Sequence, residues 1–221
     1  LAMVFLGAVA WTLVATAVPD TSAGEWFSLL TFAGLGLLVL ARSANLAALF
    51  FGLEVLSLSL YILISFRYEK RISLRAGATY LVLAGFGSGF LVFGLAMAYA
   101  AFGTLDIAVI ATAVTTRASV GFPPLGLLGF ALFFVGIGFK LAVIPFHMWA
   151  PEVYEGSPGP VAGLIASASK GAVIAALVPF VFLLGAFWQV IWLLAAASML
   201  GGNLLGLRET RVKRILAYSS I

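Results

Sequence analysis

Long apolar runs separated by short polar segments make up most of this sequence. We expect seven of these runs to be membrane-crossing helices, at residues 1–18, 26–41, 45–66, 76–101, 125–149, 160–184 and 187–206. Most of them approach the roughly 20 apolar residues that a helix needs to cross about 30 Å of hydrocarbon. None alternates strictly between apolar and polar positions, as a membrane β-strand would. The pattern predicts an all-α integral membrane protein of about seven transmembrane helices, plus the start of an eighth near the end of the chain.

The composition supports this prediction, since 63% of the residues are hydrophobic and only 9% are charged. Soluble domains have roughly 45–50% apolar and about 25% charged residues. The net charge is +4, but the basic residues lie mainly in short loops, so we expect no nucleic-acid partner. Because the chain has no cysteine and one histidine, thiolate iron–sulfur ligation is excluded and a histidine-rich metal or haem site is disfavoured. We therefore expect a chain without a cofactor or redox centre of its own.

Lysine and arginine are distributed unequally between alternate loops. Eight of them fall in one set of loops, and two fall in the other set. The first set is 19–25, 67–75, 150–159 and 207–214, and the second is 42–44, 102–124 and 185–186. Because cytoplasmic loops carry the excess of basic residues, we expect the basic loops 67–75 and 207–214 to be cytoplasmic. In the opposite set, residues 105–118 are either a short helix along the membrane surface or an ordinary packed loop.

Three charged residues lie near the centres of predicted spans: Glu54, Lys140 and Lys170. A charge at the bilayer centre costs roughly 2.5–3.5 kcal/mol on insertion scales, so such residues usually pair, face a hydrated interior or mark an ion path. A fixed ion pair between Glu54 and one lysine is the structural alternative, but it leaves the other lysine unexplained. Moving a nearby carboxylate can change whether a buried lysine is charged. The three residues therefore predict a proton path.

Pro145 follows Lys140 by five residues. It has no N–H to bond the carbonyl of Leu141, so we expect the helix to kink or break there. Interrupted helices line ion sites in transporters, although a plain packing kink is the alternative. If the helix stays regular, His147 lies two turns from Lys140 on the same face and could relay protons toward the cytoplasmic loop. Otherwise, it is an interfacial histidine with satisfied hydrogen bonds.

Four further polar residues each have two interpretations. Ser57 and Ser167, three residues from the charged groups of their own spans, either hold water or bond the backbone. Glu152 and Glu155, in the turn-rich segment 149–160, either collect protons or belong to a solvated turn.

Several segments resemble one membrane-protein family. Residues 139–161 (FKLAVIPFHMWAPEVYEGSPGPV) and 167–170 (SASK) closely resemble subunit N of the bacterial proton-pumping NADH:quinone oxidoreductase, respiratory complex I. Residues 53–63 and 211–221 agree as well, so the resemblance covers nearly the whole chain. A subunit of a multisubunit sodium/proton antiporter, which shares this helix core, is one alternative. A structural membrane scaffold with fixed ion pairs is another.

The resemblance implies an antiporter-like subunit of about fourteen helices, built from two inverted five-helix repeats. It implies that residues 1–221 are one membrane domain, a fragment of that subunit, and that 45–184 form the core of its first half-channel. By motif, Glu54 corresponds to the family's carboxylate, Lys140 to the central lysine of its broken helix, and Lys170 to its connecting lysine.

The resemblance also implies partners and a location. The partners would be the other membrane subunits of complex I, including its sister antiporter-like subunits, within the lipid bilayer of the inner (plasma) membrane. NAD, FMN, iron–sulfur clusters and quinone would be bound by other subunits.

Overall fold

The structure is a computed structural model that describes residues 23–116 and 123–221. The first predicted span, 1–18, lies outside the described residues. Within them the secondary structure is helical, with a single isolated bridge between Asn45 and Asp106. Six helices in this part of the chain are long and apolar enough to cross a membrane. This confirms the prediction of an all-α membrane protein.

The helices follow one another with short connections. The first six are α1 (Ala23–Arg42), α2 (Leu46–Ile64), α3 (Arg71–Phe102), α4 (Ile107–Thr116), α5 (Pro124–Leu141) and α6 (Ala150–Gly156). The next span, Gly159–Phe180, joins α7 (Gly159–Leu164), a π-helical turn (Ile165–Ser169) and α8 (Lys170–Leu177). A 3₁₀ turn (Val178–Leu183) then leads to α9 (Leu184–Gly206) and α10 (Val212–Ser219).

The helix predicted at 125–149 ends earlier than expected, because α5 stops at Leu141 and the chain becomes helical again only at Ala150. The expected helix break around Pro145 is therefore confirmed, and only the helix boundary is wrong. Pro145 cannot supply the N–H that the carbonyl of Leu141 would need. Ala142 adopts a left-handed backbone, with φ of 59°, which closes the helix ahead of the proline. The prediction of a turn-rich loop at 149–160 is also wrong in part, since this segment contains the short helix α6.

Helices α3 and α5 pack closely because glycines face each other across their contact. A Cβ on Gly94 would lie 2.6 Å from the carbonyl oxygen of Gly129. A Cβ on Gly136 would lie 2.7 Å from the carbonyl oxygen of Gly87. Contacts this short exclude any side chain at these positions and let the two backbones approach, as small residues do in membrane helix pairs. The end of α5 is thereby held against the polar face of α3.

The connections gather at two opposite ends of α2. At its N-terminus, the Asn45 side chain accepts a hydrogen bond of 2.8 Å from Ala47 N, and Asn45 bridges to Asp106 just before α4. For residues 105–118 the sequence allows either a surface helix or a packed loop, and the structure has the helix α4 over Ile107–Thr116. At the other end of α2, the start of α3, α6 and the segment before α10 meet through ion pairs. Three of the four loops in the basic set therefore lie together.

Candidate functional site

Lys140 lies in the last turn of α5, with its ammonium group inside the bundle. Its side chain is buried, and its Nζ donates hydrogen bonds of 2.6 Å to Ser57 Oγ and 2.9 Å to Tyr80 OH. Nζ also lies 5.4 Å from the centre of the Tyr80 ring, a distance suited to a cation–π contact. Because Ser57 is near the middle of α2, the broken end of α5 lies within the bundle and not at its surface.

Glu54 lies one turn before Ser57 on α2 and faces the same interior space. Its Oε1 accepts a hydrogen bond of 2.5 Å from Ser88 Oγ of α3. Glu54, Ser57, Tyr80, Ser88 and Lys140 all line one cavity of about 20 Å³, called the Lys140 cavity below. This volume exceeds the roughly 10–15 Å³ that one water molecule requires, and the lining offers the two to four polar partners that a buried water needs.

Glu54 and Lys140 share this cavity without forming a direct ion pair. The ion pairs within 4 Å among the described residues are all formed by arginines, and none includes Glu54. The carboxylate and the ammonium group are instead bonded to separate hydroxyl groups across a water-sized space.

Lys170 lies elsewhere, and it does not line the Lys140 cavity. Its Nζ donates to the backbone carbonyl of Ser220 and to Ser220 Oγ, the latter at 3.1 Å. Ser220 Oγ is in turn hydrogen-bonded to the OH of Tyr154 at 3.0 Å. Burial, partly offset by the hydrogen bond with Ser220, raises the pKa of Tyr154 to about 12. Tyr154 therefore keeps its proton at neutral pH.

His147 does not lie on the helix face of Lys140, because α5 ends at Leu141. The regular helix on which a spacing of two turns depended is therefore absent. His147 instead lines a larger cavity of about 540 Å³, together with Glu152 and Glu155. Its Nδ1 is buried and has no hydrogen-bond partner among the described residues. The histidine faces the end of the bundle at which the basic loops meet.

The two serines predicted to hold water or bond the backbone differ in their contacts. Ser57 Oγ donates 2.6 Å to the carbonyl of Leu53 and also accepts from Lys140. Ser167 Oγ donates 2.7 Å to the carbonyl of Gly163, and Ser167 is exposed. Ser57 thus bonds the backbone and also lines the Lys140 cavity, whereas the hydrogen bond of the Ser167 side chain is to the backbone only.

Glu152 and Glu155 lie on α6, not in a solvated turn, and both are ion-paired. Glu152 lies 2.5 Å from Arg75 Nε and accepts 3.2 Å from Thr79 Oγ1. Glu155 pairs with Arg211 and, at 3.2 Å, with Arg214. We call this group the charged end, and its members are Arg75, Glu152, Glu155, Glu209, Arg211 and Arg214.

Sequence reasoning missed Tyr80 and Ser88, the two residues of α3 in the Lys140 cavity. Both are polar residues within an otherwise apolar span, and they are eight positions apart, which places them near one face of a helix. That spacing was the available signal. It could not show that the face meets Glu54 and Lys140, because neighbouring spans can pack in many ways.

A metal centre has no support in the described part of the chain, where no three histidine, aspartate or glutamate side chains are grouped to hold an ion.

Comparison with known proteins gives consistent matches. The family model for the transmembrane part of NADH:quinone oxidoreductase and Mrp antiporters matches residues 43–221. NADH-quinone oxidoreductase subunit N of Nitrosospira multiformis is 45% identical over 188 residues, which cover 83% of this chain and 37% of the relative. Subunit N 2 of Roseiflexus castenholzii is 44% identical over 203 residues, covering 89% and 41%. The chain thus spans about two fifths of the length of these relatives.

Solved structures agree with the sequence matches. A chain of respiratory complex I from Thermus thermophilus, solved with bound aureothin, superposes with a TM-score of 0.83 at 35% identity. The match covers 98% of this chain and 46% of that one. A chain of the membrane-bound sulfane sulfur reductase, an archaeal respiratory membrane complex, gives the same TM-score of 0.83 at 26% identity, with 94% and 42% covered.

Proposed function

Because this chain belongs to the NADH:quinone oxidoreductase/Mrp antiporter transmembrane family, we propose that it is part of a subunit that translocates protons in a bacterial complex I. Electron transfer from NADH to quinone takes place on other subunits, and this chain moves protons in response. The names of its relatives support this assignment, since those quoted above are both NADH-quinone oxidoreductase subunits N. The observation that carries it is the Lys140 cavity.

The cavity supports a proton-exchange step between Lys140 and Glu54. The Lys140 ammonium is held by Ser57 and Tyr80, and a water in the cavity takes one of its protons. The same water passes a proton to the Glu54 carboxylate, which Ser88 orients from the other side. The step moves one proton in total: the water accepts a proton from the Lys140 ammonium, gives one to the Glu54 carboxylate, and is left unchanged. When Glu54 moves, the environment of Lys140 changes, so the lysine can hold or release its proton.

The proposal extends to the surroundings of the site. Residues 45–184 form the core of a first half-channel. Lys170 is the lysine that connects this half-channel to the rest of the subunit, and His147 relays protons between the half-channel and the charged end. The basic loops 67–75 and 207–214 face the cytoplasm, because most lysines and arginines gather there. The subunit lies in the plasma membrane beside other membrane subunits, including sister antiporter-like ones, and the groups that carry electrons belong to its partners.

Two alternatives predict different measurements. A subunit of a sodium/proton antiporter, which the family also includes, would show sodium-dependent transport without flavin and iron–sulfur partners. Co-purification with those partners favours complex I. A scaffold held by fixed ion pairs is disfavoured by the lack of a direct contact between Glu54 and Lys140.

The test is Lys140→Ala in the intact membrane complex, with Lys70→Ala as the control. Lys70 is an exposed lysine, so the control removes the same charge outside the bundle. We expect Lys140→Ala to lower proton pumping per assembled complex by at least about tenfold, since positioned proton carriers contribute roughly 10²–10⁴-fold. Lys70→Ala should leave pumping unchanged. Equal pumping by Lys140→Ala and the wild type, or a loss of assembly alone, would overturn the proposal.

A further inference from the structure

The break between α5 and α6 frees backbone groups inside the bundle. Ala142 N bonds the carbonyl of Phe139 at 3.2 Å, and Val143 N bonds the carbonyl of Gly138 at 3.1 Å. These two bonds and the left-handed Ala142 form a Schellman cap. In a continuous helix the carbonyl of Phe139 would accept from Val143, so the break leaves it with a weaker partner. Unpaired backbone groups are costly in hydrocarbon.

The Trp149 side chain supplies a second donor to this carbonyl. Its Nε1 donates a hydrogen bond of 2.8 Å to Phe139 O, across ten residues of sequence. Trp149 is only 3% exposed, so water does not compete for the bond. Because Phe139 immediately precedes Lys140, the indole N–H fixes the backbone from which the lysine side chain extends.

The ring of Trp149 also contacts the hydroxyl partner of the lysine. The Trp149 and Tyr80 rings lie 5.0 Å apart with an interplanar angle of 57°, and Tyr80 OH accepts from Lys140. Trp149 therefore restrains both the backbone that carries the ammonium group and the ring that binds it. None of the other tryptophans in the described residues donates a hydrogen bond to the end of α5 or to residues 142–149.

We propose that Trp149 is a positioning residue for Lys140, acting through its indole N–H on Phe139 and through its ring on Tyr80. This inference rests on the proposed function, since it concerns proton exchange at Lys140. Without Trp149 the end of α5 is free to shift, and the lysine loses the alignment with Ser57 and Tyr80 that the exchange needs. Displacements of about 1 Å at a reacting group can lower a rate by as much as 10²-fold.

The test compares two tryptophan-to-phenylalanine variants in the intact complex. Trp149→Phe removes the indole N–H and replaces the two-ring side chain by a single ring. Trp26→Phe makes the same replacement at a tryptophan that is equally buried. Trp26 is 1% exposed, and its Nε1 has no hydrogen-bond partner among the described residues. Both variants therefore remove a buried indole, but only one removes a hydrogen bond.

We expect Trp149→Phe to lower proton pumping per assembled complex by about fivefold, with NADH oxidation by a soluble artificial acceptor unchanged. Trp26→Phe should leave both rates unchanged. In a Ser57→Ala background, where Lys140 has already lost one partner, Trp149→Phe should have a much smaller effect. A purely structural role predicts that the two effects multiply.

If Trp149→Phe assembles poorly, replacing Trp149 by benzothienylalanine keeps the ring shape and exchanges only the N–H for sulfur. Equal pumping by this variant and the wild type, or independent effects in the Ser57→Ala background, would overturn the inference. The proposed function fails separately, because it fails when Lys140→Ala pumps normally, whatever Trp149→Phe does.

Discussion

The charged end and the Lys140 cavity use the same kinds of charged groups in opposite ways. At the charged end, Glu152 and Glu155 lie directly against arginines, within reach of solvent. In the Lys140 cavity, Glu54 and Lys140 face a common space and bond separate hydroxyl groups. Pairing at the charged end joins α3, α6 and α10. Separation within the bundle leaves room for a water molecule between an acid and a base.

The difference follows from the solvent around each group. An exposed ion pair is worth only about 0–1 kcal/mol, since water screens both charges. An unpaired charge in hydrocarbon costs far more, so Glu54 and Lys140 are tolerated only with specific polar partners. Each has such partners on neighbouring helices: Glu54 accepts a hydrogen bond from Ser88, and Lys140 donates to Ser57 and Tyr80. The charged end is therefore expected to be structural, and the cavity functional.

Gly136→Val should have the largest effect, because it forces α3 and α5 apart at the cavity wall. The new side chain would start 2.4 Å from Leu91 Cγ and 2.7 Å from the carbonyl oxygen of Gly87. Overpacking of this kind costs roughly 1–3 kcal/mol, and we expect the amount of assembled complex to fall about five- to tenfold. Quantifying the subunit in purified membranes measures this. Gly85→Val, at a glycine with nothing within 4 Å of its Cβ position, should assemble normally, and equal losses would contradict the packing described.

Tyr80→Phe should have the next largest effect, by removing one hydroxyl partner of Lys140. Hydrogen bonds to charged groups contribute about 1.5–3 kcal/mol, and partial compensation by water leaves an expected three- to tenfold loss of pumping per assembled complex. Tyr68→Phe is the control, since Tyr68 is 71% exposed. Unchanged pumping in Tyr80→Phe would show that the tyrosine only fills space beside the lysine.

Arg75→Ala should have the smallest effect, because its pair with Glu152 lies at the charged end. The Arg75 side chain is 79% exposed, so the loss should be within roughly 1 kcal/mol and pumping should change by less than about twofold. Proton-pumping assays on membrane vesicles at two salt concentrations measure it. A tenfold loss at both salt concentrations would mean that the charged end takes part in proton transfer, and the contrast between the two regions would be lost.

Much of the fold could be predicted from the apolar runs, because a span of hydrocarbon imposes a minimum helix length. Glu54 and Lys140 could be singled out for the same reason, since charges in apolar runs are costly and rare. Pro145 predicted that this helix breaks, but the last residue of α5 could not be placed, because the pattern stays apolar through the break and the left-handed residue is Ala142. Helices more often adopt that conformation at glycine.

The partners of the charged residues could be predicted least well. Tyr80 contacts Lys140, and Trp149 contacts Phe139, through the packing of α3 and of residues 142–149 against α5. This packing cannot be read from the sequence of any one helix. The position of His147 could be given only for a regular helix, and the break after Leu141 removes that condition. Lys170, like Lys140, lies near the centre of an apolar run, yet it bonds Ser220, a contact that no local pattern indicates.

The most direct test of proton exchange through the cavity is the double variant Glu54→Gln with Lys140→Met, compared with Lys140→Met alone. Both replacements are close in size to the original side chains and remove the two charges together. A fixed ion pair can often be replaced by neutral residues at little cost, so a scaffold predicts that the double variant recovers. If protons pass between Glu54 and Lys140, the double variant pumps no better than Lys140→Met, at least about tenfold below the wild type per assembled complex. Pumping by the double variant within about twofold of the wild type would contradict the proton path.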